Sequence, residues 1–161
     1  MERDASIAYA RRFEKLMERA MQWTRDGYRL STDIDEFDFD VVHRYLSEVA
    51  YWSPGIAREK VERAARHSLA FGLFHGNAQI GYARMITDTT TFAYLADVFV
   101  LPEHQGAGLG TWMIQCVMAH PDLQGLRRMM LVTSDAHGLY ARFGFAASQH
   151  PERIMEKIGK A

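Results

Sequence analysis

The stretch Asp97-Val98-Phe99-Val100-Leu101-Pro102-Glu103-His104-Gln105-Gly106-Ala107-Gly108-Leu109-Gly110 decides how the chain is read. An apolar, β-branched run ends at a proline, passes through glycines and opens at once into an amphipathic pattern, which predicts a strand, a tight turn and a helix. Backbone N–H groups collect at the start of such a helix, and anions bind there. Gly106, Gly108 and Gly110 each remove a Cβ that would hold a phosphate away from the main chain. No Gly-Lys-Ser/Thr follows, so the triphosphate loop of nucleotide hydrolases is excluded. The last glycine also falls one residue early for a dinucleotide fingerprint.

Upstream, Leu69 to Phe74, Ala78 to Ile86 and Thr91 to Val100 are β-rich runs separated by His75-Gly76-Asn77 and Asp88-Thr89-Thr90. They predict an antiparallel three-strand meander whose last strand feeds the glycine loop. Downstream, Leu109, Trp112, Met113, Cys116 and Val117 form one stripe of a helix that Pro121 ends. Arg128 to Thr133 reads as a strand reached by a helical crossover, hence parallel to its predecessor. Asp135 to Phe143 reads as a short helix with Gly144 as its C-cap, followed by a return strand from Phe145 and another near Arg153 to Lys157.

Toward the N-terminus, helical patterns over Asp40 to Ala50 and Ile56 to His67 bracket Tyr51-Trp52-Ser53-Pro54-Gly55, where proline and glycine force a break. Tyr51 and Trp52 either shape a pocket on these rigid flanks or plug the seam between the two helices. A short strand is expected around Tyr28 to Ser31, and the acidic run Asp33 to Asp40 reads as a solvated loop ahead of a helix. Phe13, Leu16, Met17, Ala20 and Met21 give residues 4 to 23 an amphipathic helical pattern that Gly27 ends. The expected organisation is therefore an N-terminal helical arm over 1–27 and one domain over 28–161. The arm packs on its own domain or on a second copy, which would make a homodimer.

The totals bound the function. A chain of 161 residues that is 48% hydrophobic can bury a core, and a formal charge of −1 with interspersed signs leaves no electrostatic footprint for nucleic acid or an anionic membrane. Neither a signal-peptide core nor an unbroken apolar run of spanning length is present, so a cytoplasmic protein is expected. Cys116 is the only cysteine and sits inside an apolar stripe, which reads as a small buried hydrophobe. The seven histidines lack metal-ligand spacing, so no metal is expected.

Gln105, Gly108 and Gly110 fit Gln/Arg-x-x-Gly-x-Gly/Ala, and Ala136-His137-Gly138-Leu139-Tyr140-Ala141-Arg142-Phe143-Gly144-Phe145 fits Ala-x-x-Leu-Tyr-x-Lys/Arg-x-Gly-Phe. Both motifs resemble those of the GNAT acetyltransferase superfamily, in its order and at about its distance, and the resemblance spans roughly residues 28 to 158. It implies an α/β (α+β) fold: a mixed, mostly antiparallel sheet splayed at the strand pair beside the loop, with helices on both faces. It also implies an N-acetyltransferase using acetyl-CoA as co-substrate, with a small-molecule amine or a protein amino group as acceptor. The alternative is a CoA-binding sensor without chemistry.

By the same resemblance, Val98, Phe99 and Val100 hold the pantetheine arm as an added strand does, and a main-chain N–H near Phe99 or Val100 polarises the thioester carbonyl. Backbone from Gln105, Gly106, Ala107, Gly108, Leu109 and Gly110, with Thr111, takes the pyrophosphate. Thr133, Ala136 and Arg142 are further cofactor contacts. Tyr140 is the general acid for the departing thiolate. Asp97 is the base candidate, since strand alternation can aim it into the cleft. Tyr51, Trp52 and Arg84 are the acceptor-side residues, Arg84 either orienting an acidic group on the acceptor or standing solvated on its strand. Two departures matter: Thr133 stands where many relatives carry asparagine, and Tyr94 where many carry the glutamate that serves as base.

Overall fold

The computed structural model describes residues 20–159. One six-stranded sheet runs in sequence order: β1 (Gln22–Arg25), β2 (Tyr28–Ser31), β3 (Leu69–His75), β4 (Ala78–Thr87), β5 (Phe92–Val100) and β6 (Arg128–Met130). Neighbours are antiparallel up to β5, and β6 lies parallel to β5. That last pair is parallel because a helix intervenes between its strands. The helices are α1 (Phe39–Arg44), α2 (Arg58–Arg66), α3 (Leu109–Met118) and α4 (His137–Ala141). Two compact units divide between Leu131 and Val132; the first holds the whole sheet and the glycine loop, the second holds α4.

Strand β3 is buried without a break from Ala70 to Phe74, so the sheet is covered on both faces. On one face Phe39, Val42, Leu46, Ala50, Val61 and Ala65 of the α1–α2 segment pack on Ala70, Phe74, Tyr82 and Phe99. Helix α3 packs against β5 and buries Leu109, Trp112, Met113, Ile114, Cys116 and Val117. Six buried positions in a ten-residue helix fit the stripe read from the sequence. Helix α1 passes into a π-helical turn, Tyr45–Val49, closed by the Ala50 N–H on the Tyr45 carbonyl at 2.9 Å. Wider turns of this kind recur at functional sites because they re-aim the chain that follows.

The structure departs from the sequence expectation at both ends. Residues 1–19 lie outside the described residues, and with them most of the expected arm. Gln22–Arg25, placed at the end of that helix by periodicity, is strand instead. Asp26 and Gly27, with φ of 49° and 83°, make the two-residue turn that pairs Arg25 with Tyr28. The hairpin spans residue 27, where the arm is expected to give way to the domain. The return strand from Phe145 and the strand near Arg153–Lys157 are also absent; the described chain there is irregular apart from a 3₁₀ turn, Pro151–Arg153. Ile154, Met155 and Ile158 are exposed. Alternating apolar residues do not make a strand without a neighbour to take their hydrogen bonds.

Candidate active site

Strand β5 is nine residues long, yet β6 pairs only with its first part: Phe92 with Arg128, Ala93 with Met129 and Tyr94 with Met130. From Leu95 to Val100 the edge turned away from β4 has no strand partner among the described residues. This is the splay that the resemblance implies; it leaves the outward main-chain groups of Val98 and the N–H of Val100 open to an extended ligand, while those of Phe99 face β4.

On its other edge β5 carries a bulge. Between the pairs Arg84–Ala96 and Tyr82–Phe99, β4 advances two residues while β5 advances three. The extra residue is accommodated at Asp97, whose φ of 55° is left-handed. Ala96 and Phe99 thereby share the sheet face of Arg84 and Tyr82, and Asp97 joins them. In a regular strand Asp97 would face the α3 side with Leu95, so the bulge, and not simple alternation, brings its carboxylate to the α1–α2 side.

There Asp97 is held twice. Its Oδ2 accepts from Arg84 Nε at 2.5 Å, and its Oδ1 accepts from the indole Nε1 of Trp52 at 3.0 Å. Arg84 Nη1 donates to Ser68 Oγ at 3.2 Å, and that hydroxyl donates to the Ala64 carbonyl at 2.7 Å. The side chains of Arg84 and Asp97 are only 17% and 13% exposed, so this ion pair is sheltered from solvent. Trp52 is 42% exposed and Tyr51 59%, with their rings edge-on at 5.1 Å. The structure thus brings Trp52, Asp97 and Arg84 together. Ser68, which sequence reading missed, completes the group.

The loop after β5 begins with a 3₁₀ turn, Pro102–His104, and Gln105 Nε2 braces it by donating to the Val100 carbonyl at 2.8 Å. Gly106 and Gly108 adopt φ of 84° and 75°. A Cβ built on Gly106, Gly108 or Gly110 would meet no atom within 4 Å, so these glycines border open space. Helix α3 has no side-chain cap, and its first bond to the loop runs from the Trp112 N–H to the Gly108 carbonyl. Among the described residues, the N–H groups from Gly106 to Thr111 have no acceptor in the chain. Free donors over an uncluttered main chain at a helix start form an anion cradle. The residues present therefore fit a diphosphate.

In the second unit, Thr133 Oγ1 accepts from the N–H groups of Asp135 and Ala136, at 3.4 and 3.0 Å, and so organises the entry to α4. Tyr140 is buried and packs edge-on with Phe145 at 6.1 Å between ring centres. Arg142 is exposed.

Two further titratable candidates are structural. Asp88 Oδ1 accepts from the N–H groups of Thr90, Thr91 and Phe92, and Oδ2 from the Thr91 hydroxyl. Those bonds hold its carboxyl far below the usual carboxylate range and tie it to the β4–β5 turn. Tyr82 is buried with its hydroxyl unpartnered among the described residues, and burial pushes the phenol well above its ordinary value. Among the described residues no group of three metal-ligating side chains occurs, and no helix is long and apolar enough to cross a membrane.

Comparisons with known proteins bear on this geometry. The profile of the Acetyltransferase (GNAT) family matches residues 30–145. A Gibberella zeae protein carrying the acetyltransferase name is 37% identical over 142 residues, covering 74% of this chain and 79% of that one. A crystal structure of a GNAT-family protein from Xanthomonas campestris superposes with a TM-score of 0.81 at 49% identity, covering 84% of this chain and 96% of the other. A Clostridium acetobutylicum protein solved with acetyl-CoA shares the fold, with a TM-score of 0.58, 17% identity and coverage of 86% and 96%. With the splayed strand pair and the loop between β5 and α3 as its structural counterpart, the family match places this chain among the GNAT acetyltransferases: it belongs to that family and is an N-acetyltransferase.

Proposed function

We propose that the chain moves the acetyl group of acetyl-CoA to an amine by direct attack on the thioester, within the β5 cleft. The observation that carries this reading is continuity: the unpaired edge of β5 from Leu95 to Val100 runs straight into the N–H groups of Gly106 to Thr111. One ligand with an extended amide arm and a diphosphate matches both. The C. acetobutylicum relative, solved with acetyl-CoA, supports the same choice.

Acetyl-CoA supplies an activated acyl group, and this chain's residues supply the environment. Of the two donors expected from the sequence, Phe99 and Val100, the N–H of Val100 lies on the open edge and polarises the carbonyl as negative charge develops there, an effect worth about 2.7 to 4 kcal/mol per donor in acyl transfer. Tyr140 is assigned the proton for the departing thiolate, and Arg142 and Thr133 remain cofactor contacts in this reading. Asp97 accepts one hydrogen bond on each oxygen, from Trp52 and Arg84, so its first role in this reading is to hold those two in place, and taking up the amine proton works against the ion pair. A CoA-binding sensor is the second reading, favoured by that engagement of Asp97.

The test is acetyl-CoA with an amine panel, scoring free thiol. Turnover is expected, and Tyr140→Phe should lower it by about 10²- to 10⁴-fold. Binding of CoA without transfer would support the sensor, and neither binding nor transfer would remove both readings.

A further inference from the structure

The acceptor side of the cleft contains one cation whose geometry is fixed but whose donors are largely unengaged. A guanidinium has five N–H donors in a planar fork. Arg84 uses Nε on Asp97 and one Nη1 hydrogen on Ser68, and among the described residues no other acceptor takes the remaining three. Both partners lock the plane: Asp97 is set by the bulge, and Ser68 is itself anchored on the Ala64 carbonyl. The remaining donors are reached by solvent, so a ligand's acceptor can take them in exchange for water. With 17% of the side chain exposed, a small acceptor can reach it from outside.

What surrounds the guanidinium narrows the ligand. Asp97, with each oxygen already accepting a hydrogen bond, does not offer an unengaged carboxylate for an ammonium group. The indole of Trp52 is bound to the same carboxylate, so an exposed aromatic surface lies one carboxylate's width from the cation. Asp97 also precedes Phe99 by two residues, about 7 Å of strand. A carboxylate on Arg84 therefore leaves an amine one carbon away within reach of the β5 edge, and an apolar side chain free to lie on Trp52 and Tyr51.

We propose that the acceptor is a free amino acid with an apolar or aromatic side chain, its carboxylate held by Arg84. The planar fork suits a carboxylate bidentately, which a lysine in its place would not. This proposal rests on the acetyl-transfer reading above and adds the acceptor's second functional group. It disfavours a protein N-terminus, whose nearest carboxyl is tied up as an amide.

The experiment compares L-phenylalanine, L-leucine and L-methionine with their carboxamides and with the matching decarboxylated amines, using the full chain and acetyl-CoA. The carboxamides have less basic amines, hence more neutral nucleophile at neutral pH, so intrinsic reactivity works against the proposal. A kcat/KM advantage of about 10- to 100-fold for the free acids, mostly in KM, is expected from a charged hydrogen-bonded contact. Arg84→Lys should erase most of that advantage while leaving the KM for acetyl-CoA unchanged; a retained advantage would reject Arg84 as the anchor. Equal or faster transfer to carboxamides or plain amines in the wild type overturns carboxylate recognition while leaving acetyl transfer standing. If no amine in any set is acetylated, the proposal falls, and calorimetry with CoA then decides whether the acetyl-transfer reading falls with it.

Discussion

Asp97 is the residue whose reading changes most between chain and fold. Alternation along β5 suggests a carboxylate aimed into the cleft; in the fold a bulge turns Asp97 to the α1–α2 face, and two donors occupy it. Asn at this position tolerates the left-handed backbone and keeps an oxygen for Trp52, yet removes the ion pair. Asp97→Asn should therefore raise the acceptor KM by about 10-fold or more with kcat little changed, whereas loss of a base would lower kcat by about 10²-fold or more. Steady-state kinetics in the acceptor separates the two. His120 offers a second test. Its ring is buried, edge-on to Phe71 at 5.8 Å, and Nδ1 accepts the Asp122 N–H at 3.2 Å. Burial lowers its pKa below the usual imidazole value, opposed by nearby Asp122. The unfolded state then binds the proton more readily, so this contribution is complete above about pH 6.5 and is lost as pH falls through and below that value. Urea melts across that range should show the loss, at most about 1.4 kcal/mol per pH unit for one proton, and His120→Asn, which keeps the acceptor, should flatten the slope.

At the scale of elements, the central meander, the glycine loop and α3 were legible because period, turn residues and a proline agree there. The splay was legible only through resemblance, since no local property of Leu95 to Val100 says that a neighbour stops short. Gln22–Arg25 was misread although the signal existed: Asp26-Gly27 is a hairpin dipeptide, and a helical period continued from upstream outweighed it. Ser68 was invisible because a serine ending a helix gives no sign of the arginine sixteen residues away that finds it. The β4–β5 pairing has one point without slack. A Cβ on Gly81 would stand 2.8 Å from the Phe99 carbonyl oxygen, a backbone atom that cannot rotate away. Gly81→Ala should therefore displace the bulged part of β5, destabilise by about 1 to 3 kcal/mol in chemical denaturation, and reduce acetyl transfer more than that loss alone would.

For the whole molecule, cofactor binding is read most directly through stability. A ligand at about 100 times its Kd adds about 2.7 kcal/mol, and for a chain of this size that raises Tm by about 5 to 10 °C. Thermal melts with CoA should show this rise, and pantetheine, which has the arm but no diphosphate, should give a clearly smaller one; equal shifts would deny the glycine loop its part. The sequence resemblance reached the family because two motifs survive any rearrangement of loops. It did not reach the acceptor, because the side proposed to receive it is built from four side chains on four separate stretches that only the folded chain assembles. The added residue in β5 carries a last implication for how such a protein can change over time. Upstream of Asp97 the strand keeps step with the body of the sheet; downstream it keeps step with the cleft, like a thread cut to a new phase. Replacing a side chain near that point retunes what is presented, whereas losing the added residue would leave Phe99 opposite Tyr82 in its core and take away only the carboxylate that Arg84 and Trp52 share. A single added residue can thus bring a new group to one face of a sheet while the strand on either side of it keeps its pairing.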